Sequence, residues 1–166
     1  MADDVFGVEL VTPEQALFAG GATAVVLATS EGSLTVLDGH TPLVGDVVPC
    51  EVRVEQSDGE VLRVAVHGGF VQVDTSPGAA EGLAEGDGPL PGLSTRVTVL
   101  AGVAELAPEI DVARAEQARD AATQRISELG GRGQAPEEGA VDLELADAMQ
   151  ALTRAELRLA VAAEVA

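Results

Sequence analysis

At 166 residues the chain has room for one domain or a small pair, and its 46% hydrophobic content excludes a wholly disordered polymer. A formal net charge of −19 argues against nucleic acid and against unaided docking to an anionic membrane, because both would repel it. With no Trp or Tyr and only 3 Phe there is no stacking platform for bases or sugars, so the partners expected are proteins, or an anion held by a few placed arginines.

No apolar run approaches the roughly 20 residues of a membrane-spanning helix. The opening Met1-Ala2-Asp3-Asp4 lacks the basic and apolar regions of a secretion signal. A lone Cys50 permits no internal disulfide and no cysteine metal cluster, which is compatible with a cytosolic setting. Its place in an alternating run marks it as a buried small hydrophobe.

Residues 5–11 read as a first strand closed by Thr12-Pro13-Glu14, and residues 24–28 and 33–37 as short strands around Ser30-Glu31-Gly32. Asp38-Gly39 is a tight-turn pair, and His40-Thr41-Pro42-Leu43 begins a loop. The alternation is clean from Val48: Val48, Cys50, Val52 and Val54 share one face, while Glu51, Arg53 and Glu55 share the other. Ser57-Asp58-Gly59 turns the chain into Leu62, Val64 and Val66. His67-Gly68-Gly69-Phe70 interrupts before Val71 and Val73, and residues 97–100 supply a last strand. Many short strands with turn signals every 8–12 residues or so indicate an antiparallel sandwich or barrel, not βαβ units.

Residues 75–94 break this rhythm, with Pro77, Pro89 and Pro91 among five glycines and few large apolar side chains. They read as a flexible insertion between two strands. No catalytic constellation is visible. His40 and His67 have no zinc-ligand spacing, and neither a nucleophile elbow nor a phosphate-cradling loop is present. His40 reads as a turn residue satisfied by backbone, and Gly68-Gly69 as a bulge or a close approach of two backbones.

The chain changes character around Glu105 to Ala115. Pro108 suits a first helical turn, and Asp111 places a carboxylate where exposed N–H groups and the helix dipole favour it. Beyond it Ala115, Ala118, Ala122, Ile126 and Leu129 form a narrow, mostly alanine stripe that implies a close-packed partner helix. Gly130-Gly131-Arg132-Gly133 stops that helix. Residues 141–165 form a second, with Leu145, Met149, Leu152 and Leu159 as its stripe, so a helical hairpin is expected. Arg114, Arg119 and Arg125 have Asp111, Glu116 and Glu128 three residues away. Arg154 and Arg158, one turn apart on a face roughly opposite the leucines, have no acidic residue at either helical spacing. In so acidic a chain that invites an outside anion or an acidic surface.

The run Ser30-Glu31-Gly32-Ser33-Leu34-Thr35-Val36-Leu37-Asp38-Gly39-His40-Thr41-Pro42-Leu43 resembles the signature loop of the epsilon subunit of F-type ATP synthases. The likeness continues through Val8-Glu9-Leu10-Val11-Thr12-Pro13-Glu14, Gly68-Gly69-Phe70-Val71-Gln72-Val73, Val97-Thr98-Val99-Leu100-Ala101 and Ile110-Asp111-Val112-Ala113-Arg114-Ala115, in the family's order. The departures are Ser33 where many members carry Glu, His67 where Ser is usual, and the insertion at 75–94.

This resemblance implies a β-sandwich at 1–107 that binds the gamma subunit and rests on the c-ring, followed by a regulatory helical hairpin at 108–166. It implies a non-catalytic rotor subunit of a proton-translocating ATP synthase, coupling c-ring rotation to ATP synthesis. Its site would be peripheral, at the cytoplasmic face of a bacterial cell membrane and joined to it only through the complex. The extended C-terminal helices would reach the alpha and beta subunits and restrain ATP hydrolysis. Glu31, Ser33, Asp38, His40 and Pro42 fall in the loops that would face the ring or the shaft. The resemblance also implies a regulatory ATP site, and no other cofactor: Ile110, Asp111, Arg114 and Ala115 match its motif, Glu105 the acidic residue before it, and Arg154 and Arg158 its second-helix pair. Ala121 stands where that site carries a further arginine. The alternative is a free-standing β-sandwich binding module with a helical oligomerisation tail.

Overall fold

Valine-rich alternation folds into strands because branched side chains pack well on a pleated surface and successive residues point to opposite faces. The strands are β1 (Phe6–Val11), β2 (Ala16–Ala22), β3 (Ala24–Thr29), β4 (Gly32–Val36), β5 (Leu43–Val47), β6 (Cys50–Glu55), β7 (Val61–Val66), β8 (Gly69–Asp74), β9 (Arg96–Ala101) and β10 (Ala104–Leu106). A 3-10 turn at Ala107–Glu109 precedes α1 (Val112–Gly130) and α2 (Leu143–Ala163). The structure is a computed structural model that describes residues 5–76, 95–130 and 143–165. The expected insertion at 75–94 lies almost wholly outside the described residues, as does the connection between the helices. Contacts divide the chain into two units, Met1–Ala107 and Pro108–Ala166.

In the first unit β4-β3-β6-β7-β10 form one layer and β5-β8-β9-β1-β2 the other, joined where Thr29 of β3 meets Val47 of β5. Neighbouring strands are antiparallel except β1 and β9, which run parallel from Gly7↔Arg96 to Val11↔Leu100. The sandwich is therefore not purely antiparallel. Between the layers Phe6, Val8 and Leu10 meet Val25, Leu27, Val52, Val54, Val64 and Val66, all essentially fully buried. Each such side chain contributes about 1.5–3 kcal/mol on leaving water.

Three strands lie where the sequence showed none, β2, β5 and the short β10. In β2, Ala16, Ala19, Gly20, Gly21 and Ala22 have little preference for strands. Pairing with β1 from Phe6↔Ala22 to Leu10↔Phe18 overrides that. Leu43, expected in a loop, opens β5, because Pro42 ends the loop outside the ladder and Leu43 then pairs with Val73. Cys50 is half-buried, not buried: its Sγ accepts from the Ala28 amide at 3.4 Å, and burial pushes the thiol pKa up.

Gly68-Gly69 is a close approach of two backbones. A Cβ at Gly69, whose φ is +157°, would sit 2.1 Å from the Leu100 carbonyl oxygen. Backbone cannot yield as a side-chain tip can, so Gly69→Ala should cost about 3 kcal/mol or more in chemical denaturation, whereas Gly102→Ala, with open space around its Cβ, should stay within about 0.5 kcal/mol.

In the second unit the helices meet along an alanine seam. Ala115, Ala122 and Leu129 of α1 and Ala148, Ala155 and Ala162 of α2 are buried at seven-residue spacing. Arg119 and Ile126, and Leu145, Leu152 and Leu159, lie half-buried between them. This is the 3.5-residue repeat of a coiled coil, and alanine at alternate seam positions lets the backbones come close. It displaces two residues from the expected stripes: Ala118 is exposed, and Met149 is 54% exposed.

Candidate functional site

The hairpin arginines are placed by one cross-helix ion pair, Arg125 Nη2 to Glu144 Oε2 at 2.8 Å. The Arg119 guanidinium, held charged mainly by its hydrogen bond to Asp120, also feels Glu156 across the hairpin, so the helices run antiparallel. Arg114, in the first turn of α1, and Arg154 and Arg158, in the later half of α2, therefore lie toward the same end of the hairpin. Arg114 and Arg154 are exposed and Arg158 is half-buried.

Asp111 is the N-cap of α1. Its Oδ1 accepts from the Arg114 amide at 2.9 Å, while its carbonyl accepts the first helical bond from Ala115 at the same distance. Its carboxylate therefore holds the Arg114 backbone and not, as the spacing suggested, the guanidinium. Ala115 is buried in the seam and Ile110 is 9% exposed, so both shape the helix start without offering a polar group. Arg119 pairs with Asp120 at 2.8 Å in preference to the expected Glu116, while Arg125 does approach Glu128 at 3.8 Å. Glu105 belongs to the sandwich unit: it lies on β10, with Oε2 3.4 Å from His67 Nε2.

In the sandwich, the loop residues singled out from the sequence fall into two groups at opposite ends. Glu31 is in the β3–β4 turn and Ser33 is on β4 beside it, where Ser30 Oγ donates to Asp46 Oδ1 at 2.7 Å near the end of β5. Strand β4 then crosses the sandwich. Asp38, His40 and Pro42 lie in the loop at the far end, where Gly39 donates to Thr95 Oγ1 at 2.9 Å. His40 Nδ1 contacts the Thr41 carbonyl at 2.8 Å, so it is backbone-satisfied as expected of a turn residue. Sequence reasoning missed Asp46 and Thr95, because both act on loops distant in the chain and neither sits in a motif. Among the described residues no group of three or more His, Cys, Asp or Glu gathers for a metal, and no helix is long and apolar enough to cross a membrane.

Two family models match in sequence: the beta-sandwich domain of the ATP synthase delta/epsilon chain over residues 5–77, and its long alpha-helix domain over residues 109–163. The chain belongs to the ATP synthase epsilon-chain family. The epsilon chain of Streptomyces griseus is 35% identical over 129 residues, 74% of this chain and 89% of its own. That of Thermobifida fusca is 43% identical over 114 residues, 67% and 69% of the two chains. A chain in the Euglena gracilis mitochondrial ATP synthase has the same fold, with a TM-score of 0.66 at 20% identity, covering 94% of this chain and 80% of that one.

The epsilon-family segments contain both groups of sandwich loop residues and all the hairpin candidates from Ile110 onward. Glu105 falls between them, and the first segment ends as the insertion at 75–94 begins. For the cap, Asp111→Ala should cost about 1 kcal/mol of local stability and Asp111→Asn far less, read as faster hydrogen exchange at the Arg114 and Ala115 amides.

Proposed function

We propose that this epsilon-family chain is a non-catalytic central-stalk subunit of a proton-translocating ATP synthase. The sandwich binds the gamma subunit and the c-ring and couples ring rotation to ATP synthesis, and the hairpin restrains ATP hydrolysis. The observation that carries this reading is the division at Ala107 and Pro108: the helices form a unit of their own, closed by an alanine seam. Such a seam buries less apolar area than one of leucines, so the hairpin is an element that a partner can open at modest cost.

Two groups of loop residues at opposite ends of the sandwich suit two partners. The Glu31 and Ser33 turn would meet one of the ring and shaft, and the Asp38, His40 and Pro42 loop the other. The extended helices would reach the alpha and beta subunits. Similarity to the epsilon chains of Streptomyces griseus and Thermobifida fusca supports a peripheral place on the cytoplasmic face of a bacterial membrane, held there by the complex. The same membership weighs against a free-standing module with an oligomerisation tail.

ATP is the proposed regulatory ligand of the hairpin. Guanidinium groups toward one end of the hairpin suit phosphate oxygens, and Arg114, Arg154 and Arg158 supply them. Asp111 pre-forms the helix start. A nucleotide that favours the closed hairpin by a few kcal/mol is enough to move the population from mostly open to mostly closed.

Removing residues 108–166 should leave proton-driven synthesis coupled and raise ATP hydrolysis by the assembled enzyme; unchanged hydrolysis would contradict the restraining role. Calorimetric titration of the full chain with ATP should give binding heat that falls at least tenfold in apparent affinity in the double variant Arg154→Ala, Arg158→Ala, the loss expected from two charge-assisted contacts. Undiminished binding would place the site elsewhere.

A further inference from the structure

Thr95 is the buried polar residue among the described residues, with no exposed surface. It stands just before β9 on the inward side, in line with Val97 and Val99, where another branched apolar side chain would pack without burying a hydroxyl. A hydroxyl in such a place is costly unless it is hydrogen-bonded. Its bond goes to a segment 56 residues away: Oγ1 accepts from the Gly39 amide at 2.9 Å, while the Thr95 carbonyl accepts from Gly7 at 3.0 Å and continues the β1–β9 ladder.

The loop so held is the one that carries Asp38, His40 and Pro42. Its other described hydrogen bonds are internal, from the His40 amide to the Leu37 carbonyl at 3.1 Å and from His40 Nδ1 to Thr41. Gly39 has φ +73° with open space around its Cβ, so the left-handed turn is a backbone requirement and not a steric one. Leu37 is 53% exposed and gives the loop little burial to hold it. Among the described residues, the Thr95 hydroxyl is therefore the hydrogen-bonding group that ties this exposed turn to a strand of the core.

We propose that Thr95 is a positioning residue for partner binding: it fixes the Gly39 turn, and with it His40, in the shape that docks on the rotor. This rests on the reading of the loop as a rotor contact. Fixing the turn before encounter spares the complex the entropy of ordering it, so the effect appears in the bound lifetime.

The test uses the full chain as wild type, Thr95→Val and Thr95→Ser, with two readouts. Hydrogen exchange should quicken roughly tenfold at the Gly39 amide in Thr95→Val and stay near wild type in Thr95→Ser, with the Val64 and Val99 amides unchanged in both. Dissociation from an immobilised rotor of gamma subunit and c-ring should quicken roughly tenfold in Thr95→Val and recover in Thr95→Ser. Unchanged Gly39 exchange in Thr95→Val overturns the positioning role, whatever the rotor does. A loosened Gly39 with rotor lifetimes unaltered in both Thr95→Val and His40→Ala overturns the loop contact itself, and the positioning role with it.

Discussion

Small side chains are the constraint on which both units are built. In the sandwich, Phe6 is the one aromatic residue among the fully buried core side chains, and valine fills most other places. Valine spans little distance, so the layers must come near one another and neighbouring backbones must fit closely. The approach of Gly69 to the Leu100 carbonyl is that requirement at its most local. In the hairpin the same logic runs through alanine, since Ala115, Ala122, Ala148, Ala155 and Ala162 permit a contact that leucine would hold apart. A core of this kind draws stability from fit, and fit is lost abruptly when a methyl group is added where backbone stands.

That constraint also explains what could be read in advance. The valine alternation of β6 and β7 has a clear period of two, and both strands form where that pattern lies. The strand β2 carries no such signal: Ala19-Gly20-Gly21-Ala22 has no apolar pattern, and it is a strand because β1 needs a partner. The hairpin was legible as two helices but not as a seam. Alanine is acceptable on any helix face, so composition could not separate Ala118, which is exposed, from Ala122, which is buried. Only the seven-residue repeat shared by both helices settles which face is inside.

The candidate site divides along similar lines. The sequence placed Asp111 at a helix start, and it caps that helix. It could not show that its acceptor oxygen is taken by a backbone amide and not by the Arg114 guanidinium. Arg154 and Arg158 stood out through the lack of nearby acids on their own helix. That Arg114 lies toward the same end of the hairpin as they do depends on cross-helix contacts of Arg125 and Arg119, between residues well apart in the chain. The sandwich loops show the reverse error. Glu31 and His40 are close in sequence and lie at opposite ends of the fold, because five residues of β4 run the length between them. A residue that organises one of those loops, Thr95, is remote from it in the chain and carries no motif.

In the proposed role the sandwich transmits torque and the hairpin responds to conditions, and a well-filled sandwich and a thin-seamed hairpin unit suit that division of tasks. The central claim is that the hairpin must open for hydrolysis to be restrained. The most direct measurement is ATP hydrolysis by the assembled enzyme carrying Cys50→Ala, Arg125→Cys and Glu144→Cys, at the two positions whose side chains meet across the hairpin, compared before and after bridging the thiols with a short bifunctional reagent that reduction cleaves, with the cross-link verified by mass spectrometry. The account predicts that the locked hairpin hydrolyses ATP at the rate of the enzyme lacking residues 108–166 and that reduction restores restraint. Equal restraint in the locked and reduced states would contradict it.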